Sequence, residues 1–236
     1  MSLLTMVQNV ADETQLFERP TTVISNNNKE ARQSLGFLKK VSKELLELWD
    51  WQLLTEEQTF VTDGTESYSF SDIITDDDYE RPVTETEWDR SNERKIQIVT
   101  AAEWQWLKSG VISTVGIWRW ARVRGNLLIM TPDNSGDTLV LEYISSFYAQ
   151  DAAGVKKATF TLDNDDSRFS ENLMELGLKA YLKSEYGLPA VEDFDKYYDS
   201  AEKLIAQERP LKVIRPQREI WKSQFVVNIP DTGAGA

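Results

Sequence analysis

The densest carboxylate run, Asp76-Asp77-Asp78-Tyr79-Glu80, is followed closely by Glu85, Trp88 and Asp89. Those are the ingredients of a glycosidase: one acid to protonate the leaving group, a second to activate water or attack, and an indole to stack on a sugar ring. The mechanism needs the two carboxyls about 5 Å apart if retaining, or about 6.5–9.5 Å apart if inverting. Spacing along the chain does not supply that separation, so the run is read as a solvated acidic loop whose outward groups are Asp76, Asp77, Asp78 and Glu80. A second run, Asp163-Asn164-Asp165-Asp166-Ser167, alternates oxygen ligands as a calcium loop does. Arg168 occupies the position where that loop turns on glycine and Met174 that of its bidentate Glu, so the run is read as charge placed at a helix N-terminus.

The missing residue types close further chemistry. The chain has no His and no Cys, which removes Ser-His-Asp and Cys-His catalysis, thiolate metal sites and disulfides. No Gly-rich phosphate loop occurs. The expectation is therefore a protein that is not an enzyme, with no catalytic residue, metal or other cofactor. A formal charge of −13 argues against tight wrapping on nucleic acid, since such binding is driven by Lys and Arg displacing counterions from phosphates.

Two segments carry the groups a partner would recognise. Ile117-Trp118-Arg119-Trp120-Ala121-Arg122-Val123-Arg124 interleaves aromatic and basic side chains. As a strand it places Trp118, Trp120 and Arg122 on one face and Ile117, Arg119, Ala121 and Val123 on the other. Stacking on nucleic acid bases is one use, and a subunit contact built on Trp118, Trp120 and Arg122 is the use expected here. From Pro210 to Ile229, Lys212, Arg215, Arg218 and Lys222 face a single acid, Glu219, with Trp221 and Phe225 among many apolar residues. Pro210, Pro216 and Pro230 disfavour a helix there. The segment either completes the protein's own sheet or reaches a partner as an arm.

The elements that position these groups follow from period and punctuation. Ser2 caps a helix to about Glu13 with Leu3, Met6, Val7 and Val10 inward. Ala31, Leu35, Leu38, Val41, Leu45 and Leu48 make one face of a second helix that ends on Trp49-Asp50-Trp51. The period then becomes two, predicting strands at 60–61, 68–70, 95–99, 117–123, 127–130 and 138–148. Between them Thr100 and Glu103 form a capping box for a helix to Ser109. Helical periodicity returns after Thr161 with Phe169, Leu173, Leu176 and Ala180, and stops at Gly187-Leu188-Pro189. A last helix carries Val191, Phe194, Tyr198, Ala201 and Ile205. The fold class expected is α+β: a discontinuous bundle of about four helices from residues 1–58 and 150–209, an inserted antiparallel β subdomain at 59–149, and an extended C-terminal arm at 210–236. At 41% hydrophobic residues with 8 Trp the core is ample for a soluble globular protein. No apolar run reaches the ~20 residues of a membrane span, and the N-terminus lacks an export signal.

Taken in order, Leu3-Leu4-Thr5-Met6-Val7, the helix closing on Trp49-Asp50-Trp51, Arg124-Gly125-Asn126-Leu127-Leu128-Ile129-Met130-Thr131-Pro132 and Gly136-Asp137-Thr138-Leu139-Val140-Leu141-Glu142-Tyr143 are similar to a phage family. That family is the head-to-tail adaptors of short-tailed phages, also called tail tubular protein A, and the resemblance spans roughly residues 1 to 209. It implies a structural virion protein, made in the host cytoplasm and placed at the head-tail interface. The implied assembly is a homo-oligomeric ring, a dodecamer to match the portal protein, that also supports the tail nozzle or tube protein. Genomic DNA would pass through it without sequence-specific binding, along an acidic lining supplied by Asp76, Asp77, Asp78 and Glu80. Family tails help attach the ring to the portal, which assigns Lys212, Arg215, Arg218, Trp221, Lys222 and Phe225 to portal binding, with no membrane partner. The other readings are a Trp-rich carbohydrate-binding or peptidoglycan-hydrolysing tail component, and a tail completion protein of a longer-tailed phage.

Overall fold

The computed structural model describes residues 2–74, 77–109, 119–131 and 135–208. It is a mixed α+β protein, with six α-helices among the described residues. Helix α1 spans Leu3–Thr14 and opens as its sequence requires, with the Ser2 hydroxyl accepting from the Thr5 N–H. Helix α2, Lys29–Leu48, buries Ala31, Leu38, Val41 and Leu45, while Leu48 is 48% exposed. That last residue was expected inside. The helix ends there and the chain turns away, so Leu46 and Trp51 take the interior positions.

Helix α5, Glu171–Glu185, is the pivot of the helical layer, packing on α1, on α2 and on α6, Val191–Glu208. Its buried residues are Leu173, Met174, Leu178 and Leu182, and Leu176 is only partly buried at its margin. The α5 stop has the form foreseen: Gly187 is left-handed at φ 70°, and the Leu188 and Gly187 N–H groups return to the Lys183 and Ser184 carbonyls. Asp193 on α6, 5% exposed, then accepts from Lys183 at 2.7 Å, locking the α5–α6 corner.

Between α2 and α5 the chain is β-rich. A turn of 3-10 helix, Gln52–Leu54, leads into β1, Thr55–Asp63, which begins four residues before the expected boundary. Strand β1 pairs antiparallel with the long β9, Ser135–Ser145, whose other side carries β3 (Tyr79–Pro82) and β4 (Trp88–Asp89). β3 begins inside the run read as an acidic loop and β4 follows it. At four and two residues both are too short for a periodicity argument to find. The second sheet comprises β2 (Ser67–Ser69), β8 (Leu127–Thr131), β7 (Trp120–Arg124) and β6 (Gln97–Ile98), with the Gly125-Asn126 turn joining β7 to β8. Its β6–β7 pair is parallel. The two sheets enclose a core of Phe70, Ile96, Leu128, Met130, Leu139 and Leu141. Residues 150–167, expected to belong to the helical half, instead join Ala149 in a small sheet of β10 (Ala149–Gln150), β11 (Lys156–Lys157) and β12 (Asp166–Ser167). Helix α5 therefore starts only at Glu171.

Gly177 is where α5 packs against both α2 and α6. A Cβ there would lie 2.8 and 2.9 Å from the two Val41 methyls and 3.1 Å from the Tyr197 ring. Val41 is β-branched on a helix and cannot swing aside. Gly→Ala in a helix normally gains about 1 kcal/mol. Here the expected outcome of Gly177→Ala is a loss of about 1–3 kcal/mol, from overpacking. Urea denaturation should show that loss shrinking when Val41→Ala is added.

Candidate functional site

A surface groove of about 650 Å³ is lined by Glu56, Glu57 and Gln58 of β1, Asp77, Asp78, Tyr143, Phe147 and the turn at Gly154-Val155-Lys156. Of the expected outward acids, Asp77 is exposed here but Asp78 is not. Asp78 is 4% exposed, its carboxylate accepts the Tyr143 hydroxyl at 2.8 Å and its carbonyl accepts the Ser146 N–H. This corrects its assignment as a channel-facing group, since a side chain spent on holding β9 does not face solvent. Glu80 is exposed on β3 away from the groove, and Asp76 lies outside the described residues.

The basic wall of the groove is tied down as well. Lys156 and Arg168 both reach the Glu56 carboxylate, at 2.5 and 3.0 Å. Arg168 further donates to the Phe147 and Leu53 carbonyls. A matching clamp sits at the end of α2, where Arg81 of β3 donates to the Leu46 carbonyl at 2.9 Å, the Trp49 carbonyl at 2.8 Å and Asp50 at 2.9 Å. Each arginine uses its planar fork to satisfy backbone oxygens that neither a helix nor a sheet has claimed. Both join the helical layer to the sheet.

The Asp163–Ser167 run corrects another expectation. These acids do not precede a helix; they hold backbone N–H groups from three directions. Asp163 accepts from the Val23 and Ile24 N–H at 2.9 and 2.8 Å, while its carbonyl and that of Asp165 take the first free donors of α1 at Leu4 and Leu3. Burial alone would push the Asp165 carboxyl up. The Lys157 ammonium at 2.6 Å, the N–H groups of Thr161 and Leu162 and the Thr161 hydroxyl overcome that and hold it at about 2. Among the described residues no group of three or more acids is arranged to hold a metal ion.

The aromatic-basic segment keeps its expected alternation. Arg119, expected on the face opposite Trp120, is fully buried, with Nη1 3.3 Å from Asp89 and Nη2 2.5 Å from Asp137. Asp89, itself buried, also meets Arg94 at 3.3 Å and accepts from the Asn92 backbone and side chain. Trp120 and Arg122 are half-buried on the opposite face of β7 and Trp118 lies outside the described residues. Glu87, 2% exposed, has no hydrogen-bond partner for either oxygen among the described residues, and burial pushes its carboxyl up. Glu85 is exposed, pairs with Lys95 at 3.6 Å and, like Trp88 and Asp89, does not line the groove. The acids proposed for glycoside chemistry are thus distributed rather than gathered. The arm residues Lys212, Arg215, Arg218, Trp221, Lys222 and Phe225 lie outside the described residues.

No known family model matches the chain, and no curated protein matches its sequence at a significant level. Among the described residues no helix is long and apolar enough to cross a membrane.

Two outcomes follow from this geometry. Arg81→Ala should cost about 1–3 kcal/mol in urea denaturation, because it strips donors from two carbonyls at the seam. Arg81→Lys should recover little of it, lacking the fork. The Asp165 carboxyl is held below its ordinary 3.8, at about 2, so its contribution is present above pH 4 and lost as pH falls through 2. The shift corresponds to roughly 2 kcal/mol. Melts of Asp165→Asn between pH 6 and 2 should show lower stability at pH 6 and a shallower acid decline than the parent.

Proposed function

We propose that this chain is a structural virion protein, a head-to-tail adaptor whose copies form a ring between portal and tail nozzle and line part of the DNA channel. The single observation that carries the reading is the separation of charge by place. The chain as a whole carries −13, whereas Pro210–Ile229 sets four basic residues against one acid and follows directly on α6. Glu208 at the end of α6 is bonded through its carboxylate and its carbonyl to Gln52, at 3.2 and 3.3 Å. The segment is therefore rooted at the seam between helices and sheet, where a pull on it is borne by the whole body. The resemblance in element order supports the same assignment, and with it a discontinuous bundle of α1, α2, α5 and α6, an inserted β subdomain and an extended arm.

In this reading Trp120 and Arg122, with Trp118, belong to a contact repeated around the ring, where rotation closes a head-to-tail interface. Exposed acids such as Asp77 and Glu80 repel the phosphate backbone of passing DNA and let it slide. No particular observation favours the hydrolytic alternative.

Imaging the protein with and without portal tests the proposal, and rings seated on the portal vertex are the expected result. Trp221→Ala with Phe225→Ala should weaken portal retention at least about tenfold, since buried aromatics dominate such contacts. Its α5 amides should exchange as slowly as in the parent, which shows that the helical layer is still folded. Undiminished retention, or release of reducing sugar from peptidoglycan by the unmodified chain, would remove this reading.

A further inference from the structure

Strand β1 has a partner on one side only among the described residues, β9. The orientation of its backbone groups can be read from β9. Val83 N–H donates to the Glu142 carbonyl and Glu142 N–H to the Thr86 hydroxyl; Arg90 N–H donates to the Thr138 carbonyl and Thr138 N–H to the Ser91 hydroxyl. Glu142 and Thr138 therefore face away from β1. Their register partners are Glu57 and Val61. In an antiparallel ladder both members of such a pair are non-bonded, so Glu57, Thr59 and Val61 turn their N–H and C=O outward. All three are exposed, Val61 at 61%. The Thr59 carbonyl is capped by the Gln58 amide at 3.1 Å, a side chain standing where a neighbouring strand would donate.

A nine-residue edge with three consecutive outward pairs is a template for another strand. Its surroundings select which one. Asp63 at the end of the edge, Asp77 in the adjoining groove and Glu57, which meets Arg90 at 3.5 Å, leave this surface acidic on balance, and Val155, 60% exposed, adds apolar surface at one end. The chain beyond α6 starts beside Gln52, three residues before β1. Gln217 to Ile229 is free of proline, contains Ile220, Trp221, Phe225, Val226 and Val227, and carries Arg218 and Lys222. The eight residues 209–216 can extend about 26–29 Å, enough to bring residue 217 to Glu57 or Thr59 from the root beside Gln52.

We propose that the outer edge of β1 is the seat of this chain's own residues 217–229, which add as a strand in the free subunit. The seat stands independently of the adaptor reading. If both hold, a portal must displace the segment from the edge to engage it.

Hydrogen exchange on the full chain tests this without portal, so its failure is separable from failure of the adaptor reading. The amides of Glu57, Thr59 and Val61 should exchange at least about tenfold more slowly than unpaired edge amides do. Phe225→Pro with Val227→Pro removes two donors from the segment and should abolish that protection, while leaving the α5 amides unchanged. Equal rates at the three amides in the two chains overturn the proposal, whether both are fast or both slow. Protection that rises with protein concentration overturns the same-chain assignment in favour of a second copy.

Discussion

Where a chain passes between a helical layer and a sheet, its backbone carbonyls leave one hydrogen-bonding lattice before entering the other, and each buried one left unpaired costs as much as a lost hydrogen bond. Here those oxygens are Leu46 and Trp49 at the end of α2, Leu53 in the turn that follows, and Phe147 beyond β9. Arg81 satisfies the first two and Arg168 the others. The Trp51 indole donates to the Leu45 carbonyl at 2.6 Å, which closes the remaining end of α2. Once these donors are placed, β9 has to bridge both cores: Leu139, Leu141 and Tyr143 belong to the core between the sheets, and Ile144 to the helical one. The groove inherits its shape from the same arrangement, because Arg168 and Lys156 converge on Glu56 at its floor.

Much of this fold was legible wherever a short-range rule applied. Ser2, the Thr100–Glu103 box and Gly187-Leu188-Pro189 each carry their own stop or start, and all appear as read. The inward face of α2 followed from steps of three and four, and the β7–β8 hairpin from Gly125-Asn126. What stayed hidden were bonds between distant parts of the chain. Asp163 binds the N–H groups of Val23 and Ile24 across about 140 residues, and nothing within a window of ten distinguishes that from a helix cap. Strand β3 has four residues and β4 and β10 to β12 two each, too short for any period to show.

Arg119 shows the same limit at the candidate site. Alternation placed it opposite Trp120, which is correct, but could not say which face was interior. The structure puts the guanidinium inside, between Asp89 and Asp137, and leaves the indole half-buried outside. Removing charges from water costs several kcal/mol per ion, and a pair repays this only when geometry and further hydrogen bonds are good. Asp89 has those extra bonds from Asn92 and Arg94, whereas Nε and Nη1 of Arg119 and both oxygens of Glu87 have no hydrogen-bond partner among the described residues, so the network is satisfied on one side only. Asp89 on β4 and Arg94 on the strand paired with it, Arg94–Lys95, are register partners, so this contact ties the two short strands together.

The acidic surface then has two physical consequences that act together. Carboxylates along β1 discourage its exposed edge from pairing with an identical edge of another copy, because like charges would be set opposite one another at close range. The same charge lowers the barrier to a basic extended segment, so one feature both protects the edge and chooses what it accepts. Exposed charges act over only about 8–10 Å at physiological ionic strength. The choice is consequently local to β1 and the groove beside it, where Glu57, Asp63 and Asp77 are the exposed acids and Arg90 and Lys156 the basic groups that partly offset the local charge. Lasting attachment must come from backbone bonds and apolar contact made after that choice, which is why Val61 and Val155 lying exposed beside those acids is the more telling part of the surface.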